Sequence, residues 1–263
     1  MTQPSIVFDR AAGYYDETRG FPPGEEQHVA AVIVRAGALT AASRVLEVGI
    51  GTGRIALPLA PHVHSITGID LSRPMLNRLR AKQHGESIAV TEGDATRLPF
   101  ASGSFDVAIG VHIFHLIPGW QAALDEVARV LRPGGMLLSG YRNHDVGGDD
   151  PYRWLWNIWS AEVGSENPHV GVPRERFTTF LEDSDWQPVA EPLVHTFPEY
   201  HTLREFLDRL DRRVWSNLWR VPDEAYARGL AAVHAAVAER QADLDERIPR
   251  ESNFTVRAFT PPR

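Results

Sequence analysis

Three alternate glycines in the segment EVGIGTGR, which runs from Glu47 to Arg54, are the strongest chemical signal in the chain. Gly49, Gly51 and Gly53 follow a short apolar run that is typical of a buried parallel strand, and they precede a helical pattern. Because glycines have no side chain, the backbone can turn sharply and a ligand can approach it closely. This pattern predicts a ligand-binding loop, with a purely structural turn as the alternative.

Two carboxylates follow the next two predicted strands. Asp70 ends the segment HSITGID, about 20 residues beyond the first glycine, where an acid can bind ribose hydroxyls. Asp94 lies in EGDATRLPF after the third strand, where a carboxylate can accept a hydrogen bond from an adenine amino group. Either acid alone would be better explained as a surface or capping residue. Their placement at successive strand ends indicates a ligand site outside the carboxyl ends of a parallel sheet.

The elements that must position these residues alternate between strand and helix from residue 44 to residue 141. Predicted strands are SRVLEVGIG, HSITGID, SIAVTEGDA, FDVAIGVHIF and GMLLSGY. Predicted helices are RIALPLA, SRPMLNRLRAKQ and GWQAALDEVARVL. We expect Ser72 to cap the second of these helices, with Pro74 in its first turn, and Pro133 and Gly134 to stop the third. Such alternation predicts a parallel sheet that is covered on both faces.

The pattern changes after Tyr141. HDVGGDDP is a loop by composition. Four helices are then predicted: PYRWLWNIWSAEVG, RERFTTFLEDSDW, HTLREFLDRLDRRVWSNLW and PDEAYARGLAAVHAAVAERQADLDER. Two β-rich runs, near Pro192 to Phe197 and Phe254 to Phe259, are the candidates for the last strands.

Five motifs occur in an order that resembles the small-molecule class I methyltransferase family, which uses S-adenosylmethionine. They are EVGIGTGR, GIDLSRPML, EGDATRLPF, FDVAIGVHIFHLIP and RVLRPGGML, and they cover roughly residues 40 to 142. The resemblance implies S-adenosylmethionine as cofactor and S-adenosylhomocysteine as product. It also implies an α/β fold, with a Rossmann-like, seven-stranded, mostly parallel sheet, helices on both faces and a helical cap insertion.

The same resemblance implies one domain. Residues 1–142 would hold the N-terminal helices and the cofactor-binding core, and residues 143–190 and 199–250 the helical insertions. Residues 191–198 and 253–260 would form the last two strands.

The resemblance also assigns roles to individual residues. The glycine loop would carry the methionyl part of the cofactor, with Glu47 near its amino group, Asp70 on the ribose and Asp94 beside the adenine. In the leading segment FDRAAGYYDETR, a tyrosine and an arginine would approach the cofactor carboxylate, since a guanidinium can bind it at two points. An aromatic helix that only packs on the domain is the alternative, and the adjacent Tyr14 leaves the alignment open. The predicted cofactor-binding residues are Tyr15, Arg19, Glu47, Gly49, Gly51, Gly53, Asp70, Leu71, Met75, Asp94, Ala95 and Val111.

His112 and His115 are the candidate catalytic residues in the segment VHIFHL. Either imidazole could remove a proton from an oxygen or nitrogen acceptor. The alternative is a histidine in the pocket wall, because methyl transfer is a direct displacement that positioning alone can accelerate. A metal site is not predicted here, since no third ligand is obvious.

Five tryptophans follow the predicted core. Residues with the spacing of Trp154, Trp156, Trp159, Trp215 and Trp219 belong more often to a hydrophobic core than to a pocket. Members of the resembled family build an acceptor cover from inserted helices, so an aromatic lid over an apolar or aromatic acceptor is the second hypothesis.

Composition narrows the function classes. The chain has 263 residues and a formal net charge of −7. It has no cysteine, so disulfides, thiolate zinc sites and cysteine nucleophiles are excluded. No basic patch of the kind that grips a phosphate backbone is evident, which favours a small-molecule acceptor over nucleic acid. No apolar run reaches the length of a membrane span and MTQPSIVFDR is not typical of a signal peptide, so we expect a cytoplasmic protein without a membrane partner. Nothing in the sequence determines the oligomeric state.

Three other functions share some of these features. A nicotinamide-dependent oxidoreductase would have its glycines spaced as G-x-G-x-x-G, and it would leave Asp94 unexplained. A protein that binds S-adenosylmethionine without turnover would keep the glycine loop and Asp70. A methyltransferase acting on protein also stays open, whereas the Asn/Asp-Pro-Pro-aromatic motif of amino methyltransferases is replaced by VHIFHL.

Overall fold

A computed structural model of the chain describes residues 5–143, 151–164, 172 and 174–262. The described residues sort into two compact units. Unit 1 falls within Met1–Arg142, Val170–His195 and Phe254–Arg263, and unit 2 within Asn143–His169 and Thr196–Asn253. The predicted loop HDVGGDDP lies outside the described residues except for its last residue, Pro151.

Eight strands of the described chain form one sheet. They are β1 (Arg44–Val48), β2 (Ser65–Asp70), β3 (Ile88–Glu92), β4 (Phe105–Val111), β5 (Leu131–Asn143), β6 (Gln187–Pro188), β7 (Leu193–His201) and β8 (Ile248–Thr260). Their order is β3-β2-β1-β4-β5-β8-β6, and β7 also pairs with β8. Strands β7 and β8 each contribute residues to both units.

Strands β1 to β5 are parallel, as the alternation of elements predicted. Val45, Leu46 and Val48 of the central strand are buried, because helices cover both faces of such a sheet and shield them from water. The Rossmann-like fold class is therefore confirmed. The sheet has eight strands where seven were predicted, since the two-residue β6 pairs antiparallel with β8 and is too short to show a periodic pattern.

Nine α-helices are found in the described ranges. They are α1 (Tyr15–Arg19), α2 (Glu25–Ala36), α3 (Ala56–Leu59), α4 (Arg73–Lys82), α5 (Trp120–Val130), α6 (Arg153–Val163), α7 (Arg174–Asp183), α8 (Leu203–Asp211) and α9 (Asp223–Arg240). Among the described residues, no helix combines the length and the apolar character that crossing a bilayer requires.

The start of α4 agrees with its prediction. The Ser72 hydroxyl accepts a hydrogen bond from the Met75 amide at 3.3 Å, and Pro74 lies in the first turn. The end of α5 differs from its prediction, because β5 begins directly after Val130 and includes Pro133 and Gly134. The register between β4 and β5 is irregular at that point, which accommodates the two residues in the strand.

The predicted helix HTLREFLDRLDRRVWSNLW is wrong beyond Asp211. Helix α8 begins with a capping box between Thr202 and Glu205, and it ends where the chain turns through Arg213, whose φ is +53°. A separate 3₁₀ helix follows at Ser216–Leu218. The turn is held because the Trp219 indole N–H donates to the Arg213 carbonyl at 2.8 Å, a contact that the helical spacing of the sequence does not reveal.

Each unit has its own hydrophobic core. In unit 1 the core joins β1 and β4 to α5, with Phe177 of α7 stacked on Phe114 at 4.6 Å. In unit 2 the core is built by α6, α8 and α9, and Trp159 is 2% exposed against Tyr226.

Two further tryptophans pack in unit 2. Trp156 contacts the rings of Phe206 and Trp215, and Trp154 lies partly buried against the same core. These contacts favour the core interpretation of the α6 tryptophans, and the aromatic lid stays a prediction.

Candidate active site

Four predicted site residues come from the carboxyl ends of four adjacent strands. Glu47 is the penultimate residue of β1, Asp70 ends β2, Val111 ends β4 and Asp94 follows β3 by two residues. Because these strands are parallel and neighbours in the sheet, the fold brings their ends to one edge. Ligands of open parallel sheets bind at this edge.

The glycine loop adopts a conformation that few other residues could take. Gly49, Gly51 and Gly53 have φ values of +72°, +54° and +79°. A Cβ atom on Gly49 would lie 2.5 Å from the Ile113 side chain, and one on Gly53 would lie 2.3 Å from Leu79. Both the backbone and the packing therefore require glycine, as the motif predicted.

Asp70 closes the glycine loop. One carboxylate oxygen accepts the Gly51 amide at 2.9 Å, and the other accepts the Ser72 amide at 2.9 Å. Burial raises the pKa of Asp70, and the two backbone hydrogen bonds oppose that rise. Each carboxylate oxygen keeps a second lone pair, so Asp70 can also accept hydrogen bonds from neighbouring hydroxyl groups of a ligand.

Glu47 is a buried acid with an unmatched oxygen. Its side chain is 3% exposed, and its Oε2 atom has no hydrogen-bond partner within the described part of the chain. Burial raises the pKa of Glu47 to about 8, Arg54 opposes the rise and Asp70 adds to it. An ammonium group placed here would satisfy the oxygen and favour the charged carboxylate. The site therefore fits the amino group of an aminoacyl ligand.

The loop after β3 is tied to the end of β2. The Gly93 amide donates to the Asp70 carbonyl at 3.0 Å, and the Asp94 carboxylate accepts the Thr96 amide at 2.9 Å. Two apolar positions are predicted to flank an adenine ring. Leu71 is half-buried and directly follows β2, and Ala95 is buried and lies three residues after the end of β3. Their contact with a base stays a prediction.

The end of β4 is anchored to β5 through His112. The backbone of His112 is left-handed, with a φ of +52°, and its amide donates to the Gly140 carbonyl at 3.1 Å. The Nε2 atom of the ring accepts the Arg142 amide at 2.6 Å. His115 lies one turn further, in a 3₁₀ helix, with its ring 6.3 Å from that of His112. The hydrogen bond to Arg142 occupies one of the two nitrogens of His112 that could take a proton.

Residues 9–21, which we call the N-terminal strap, are bound to the glycine loop and to α4. The Thr52 and Lys82 side chains donate to the two oxygens of Asp16 at 2.5 and 2.8 Å. The Ser72 hydroxyl donates to Asp9 at 2.6 Å. These contacts hold the strap beside the residues predicted to bind the cofactor.

Two arginines that the sequence reasoning missed fix the end of the strap. Arg54 donates to the Arg19 carbonyl and Arg142 to the Gly20 carbonyl, each at 2.7 Å. Both guanidinium groups also lie over the Phe21 ring, at 5.0 and 5.3 Å. Arg54 belongs to the motif EVGIGTGR, which is the one signal that could have drawn attention to it. No local sequence pattern points to Arg142, because its hydrogen-bond partner Gly20 is 122 residues away.

The structure places the other three predicted cofactor-binding residues, Met75, Tyr15 and Arg19, in different surroundings. Met75 reaches the loop, since a Cβ on Gly51 would lie 3.3 Å from the Met75 Cε atom. Tyr15 packs edge-on against Phe8, with ring centroids 5.9 Å apart. Arg54 holds the backbone of Arg19 beside the glycine loop. The predicted contact of the Arg19 guanidinium with a cofactor carboxylate stays a prediction.

Comparison with known proteins agrees with this geometry. The family model for a methyltransferase domain matches residues 46–139, which contain the glycine loop, Asp70 and Asp94. A fatty-acid O-methyltransferase from Mycolicibacterium smegmatis is 37% identical over 146 residues, covering 52% of this chain and 53% of the relative. The chain thus spans about half the length, or less, of the curated relatives it matches.

Solved structures share the fold over most of the chain. YcgJ from Bacillus subtilis is 20% identical with a TM-score of 0.57, covering 90% of this chain and 99% of that protein. The [4+2]-cyclase SpnF is 18% identical with a TM-score of 0.57, covering 100% of this chain and 99% of that one. A cyclase in the same fold shows that the fold by itself does not specify the reaction. Residues 46–139 thus match a methyltransferase domain, and the chain as a whole shares the fold of these solved structures.

Proposed function

We propose that this protein transfers a methyl group from S-adenosylmethionine to a small-molecule acceptor. The observation that carries the proposal is the unmatched, buried Glu47 oxygen beside a glycine loop that Asp70 closes. An aminoacyl nucleoside has the two groups these acids would bind, an ammonium and a ribose diol.

The residues of the chain would do most of their work by positioning. S-adenosylmethionine, when bound, supplies a methyl group activated by a sulfonium. Asp70 would orient the ribose, Glu47 would pair with the ammonium group, and Asp94 would receive the adenine amino group. The N-terminal strap, held by Arg54 and Arg142, would exclude water from the reacting atoms.

We further propose that the acceptor is small and apolar or aromatic, and that the reaction takes place in the cytoplasm. The fatty-acid O-methyltransferase relative supports an apolar acceptor, and the net charge of −7 disfavours a nucleic acid. The absence of cysteine suits a reducing compartment.

The test is calorimetric titration of the purified protein with S-adenosylmethionine, S-adenosylhomocysteine and NAD. We expect both adenosyl ligands to bind in the micromolar range and NAD not to bind. Transfer of a labelled methyl group to a panel of fatty acids and phenols would then identify the acceptor class. Binding of NAD alone, or of none of the three, contradicts the proposal.

A second candidate function is cofactor binding without methyl transfer. It would use the same glycine loop, Asp70 and Glu47, because none of these contacts requires a productive acceptor pocket. Tight binding of S-adenosylhomocysteine, with no labelled product from any acceptor and with slow exchange of the bound cofactor, would support this second function.

For acceptors that lose a proton, we propose His115 as the base, with His112 as a positioning residue whose Nε2 atom accepts the Arg142 amide. Replacing His115 by glutamine should then lower kcat by about 100-fold or more while S-adenosylhomocysteine affinity stays within about twofold. An imidazole must be neutral to accept a proton, so wild-type activity should fall in acid and the variant should lose this dependence. Steady-state kinetics across pH would measure both effects. A loss of less than about tenfold would assign the rate to positioning instead.

A further inference from the structure

A cluster of three metal-binding side chains lies within unit 1, outside the residues assigned to the cofactor. Glu25 and His28 are three residues apart on α2, so their side chains share one face of the helix. His195 comes from β7, 170 residues along the chain from Glu25. One oxygen of Glu25 lies 2.6 Å from the His195 Nε2 atom and 3.2 Å from the His28 Nδ1 atom.

We propose that Glu25, His28 and His195 bind a divalent transition-metal ion, with zinc the best match. One donor atom from each residue lies within 4.8 Å of the other two. Two ligands that are each about 2 Å from a zinc ion stand roughly 3.4 Å apart in a tetrahedron, so small side-chain rotations would bring all three onto one ion. The ion would take the place of the hydrogen bond between Glu25 and the His195 ring, whose Nε2 atom must be unprotonated to bind it.

The donor set selects the kind of metal. Two imidazole nitrogens and one carboxylate suit zinc and its neighbours in the first transition series, whereas magnesium and calcium prefer oxygen ligands. His28 is 64% exposed in its side chain, while Glu25 and His195 are 21% and 24% exposed. Solvent can therefore reach the cluster and supply the fourth ligand.

The ring geometry of the two histidines and the charge of Glu25 also suit a metal site better than an incidental surface ion pair. The two imidazole rings are 5.1 Å apart at a tilt of 49°, so they are neighbours without being stacked face to face. The pKa of Glu25 is lowered, chiefly by its hydrogen bond to His195, which keeps the carboxylate in the charged form a cation needs. Such a cluster would join α2 to β7 through one ion.

The test is titration of tag-free protein with zinc in a buffer that does not chelate metals, with competition by a chromogenic chelator. We expect one zinc per chain, and we expect His28→Ala to weaken binding by at least about tenfold. His28 is exposed, so this variant should fold normally. His84→Ala, which removes another exposed histidine of unit 1, is the matched control and should bind zinc as the wild type does.

Two further measurements separate a metal site from an ion-pair cluster. Zinc should raise the Tm of the wild type but not of His195→Ala, and millimolar magnesium should not compete. Equal zinc affinity in the wild type and in His28→Ala would overturn the proposal. Because S-adenosylhomocysteine binding is measured on the same samples, failure of this site is distinguishable from failure of the proposed methyltransferase function.

Discussion

Replacing Asp70 by alanine should abolish tight binding of S-adenosylhomocysteine. The carboxylate holds the Gly51 and Ser72 amides at 2.9 Å each, and in the proposed complex it also accepts the ribose hydroxyls. Loss of hydrogen bonds to a charged, largely buried acceptor is expected to cost about 3 kcal/mol, which is roughly a 100-fold rise in Kd. Isothermal titration calorimetry of the variant and the wild type would measure this rise.

Two variants separate ligand contacts from folding. Asp125→Ala removes an exposed carboxylate of unit 1 and should leave the Kd unchanged. Asp70→Asn keeps the shape of the side chain and one of its two acceptor oxygens, so its Tm should fall less than that of Asp70→Ala while its affinity still falls. If Asp70→Ala keeps its affinity for S-adenosylhomocysteine, the ribose assignment is wrong.

Glu47 should make the stability of the ligand-free protein fall as pH rises. Its pKa is about 8 in the folded chain and 4.5 ordinarily, so the folded state holds a proton that the unfolded state has lost between these values. The stabilising contribution is complete below about pH 4.5 and disappears as pH rises through about 8. Between pH 5 and pH 8 the free energy of unfolding should fall by about 3 to 4 kcal/mol from this group alone.

The measurement is urea unfolding of the wild type and of Glu47→Gln at several pH values. Because other groups titrate in both proteins, the difference between them isolates Glu47, and that difference should follow the slope described above. Glu26→Gln, a half-buried glutamate of α2, is the matched control. Saturating S-adenosylhomocysteine should flatten the wild-type slope, since its ammonium group favours the charged carboxylate. An unchanged pH dependence in Glu47→Gln would show that this acid does not hold the extra proton.

The sequence by itself determined the parallel half of the fold and its ligand edge. The apolar run at residues 45–48 predicts a buried strand, and the spacing of Gly49, Gly51 and Gly53 predicts a loop. Both predictions were possible because these patterns are local in the chain. Asp70 and Asp94 could be placed from the same reasoning, since Asp70 ends β2 and Asp94 follows β3 by two residues. The N-terminal cap of α4 at Ser72 was predictable for the same reason.

The other features of the site depend on long-range contacts, so only the tertiary structure could reveal them. Arg142 donates to Gly20 and Glu25 contacts His195 although these pairs lie far apart in sequence. The packing of neighbouring strands buries Glu47, and its Oε2 atom has no hydrogen-bond partner among the residues that the structure describes. The break of the predicted helix at Arg213 has the same origin, because side-chain contacts hold a left-handed turn that helix propensity alone opposes. Periodicity reports which face of an element is buried, and it carries no information about which distant side chain that face will meet.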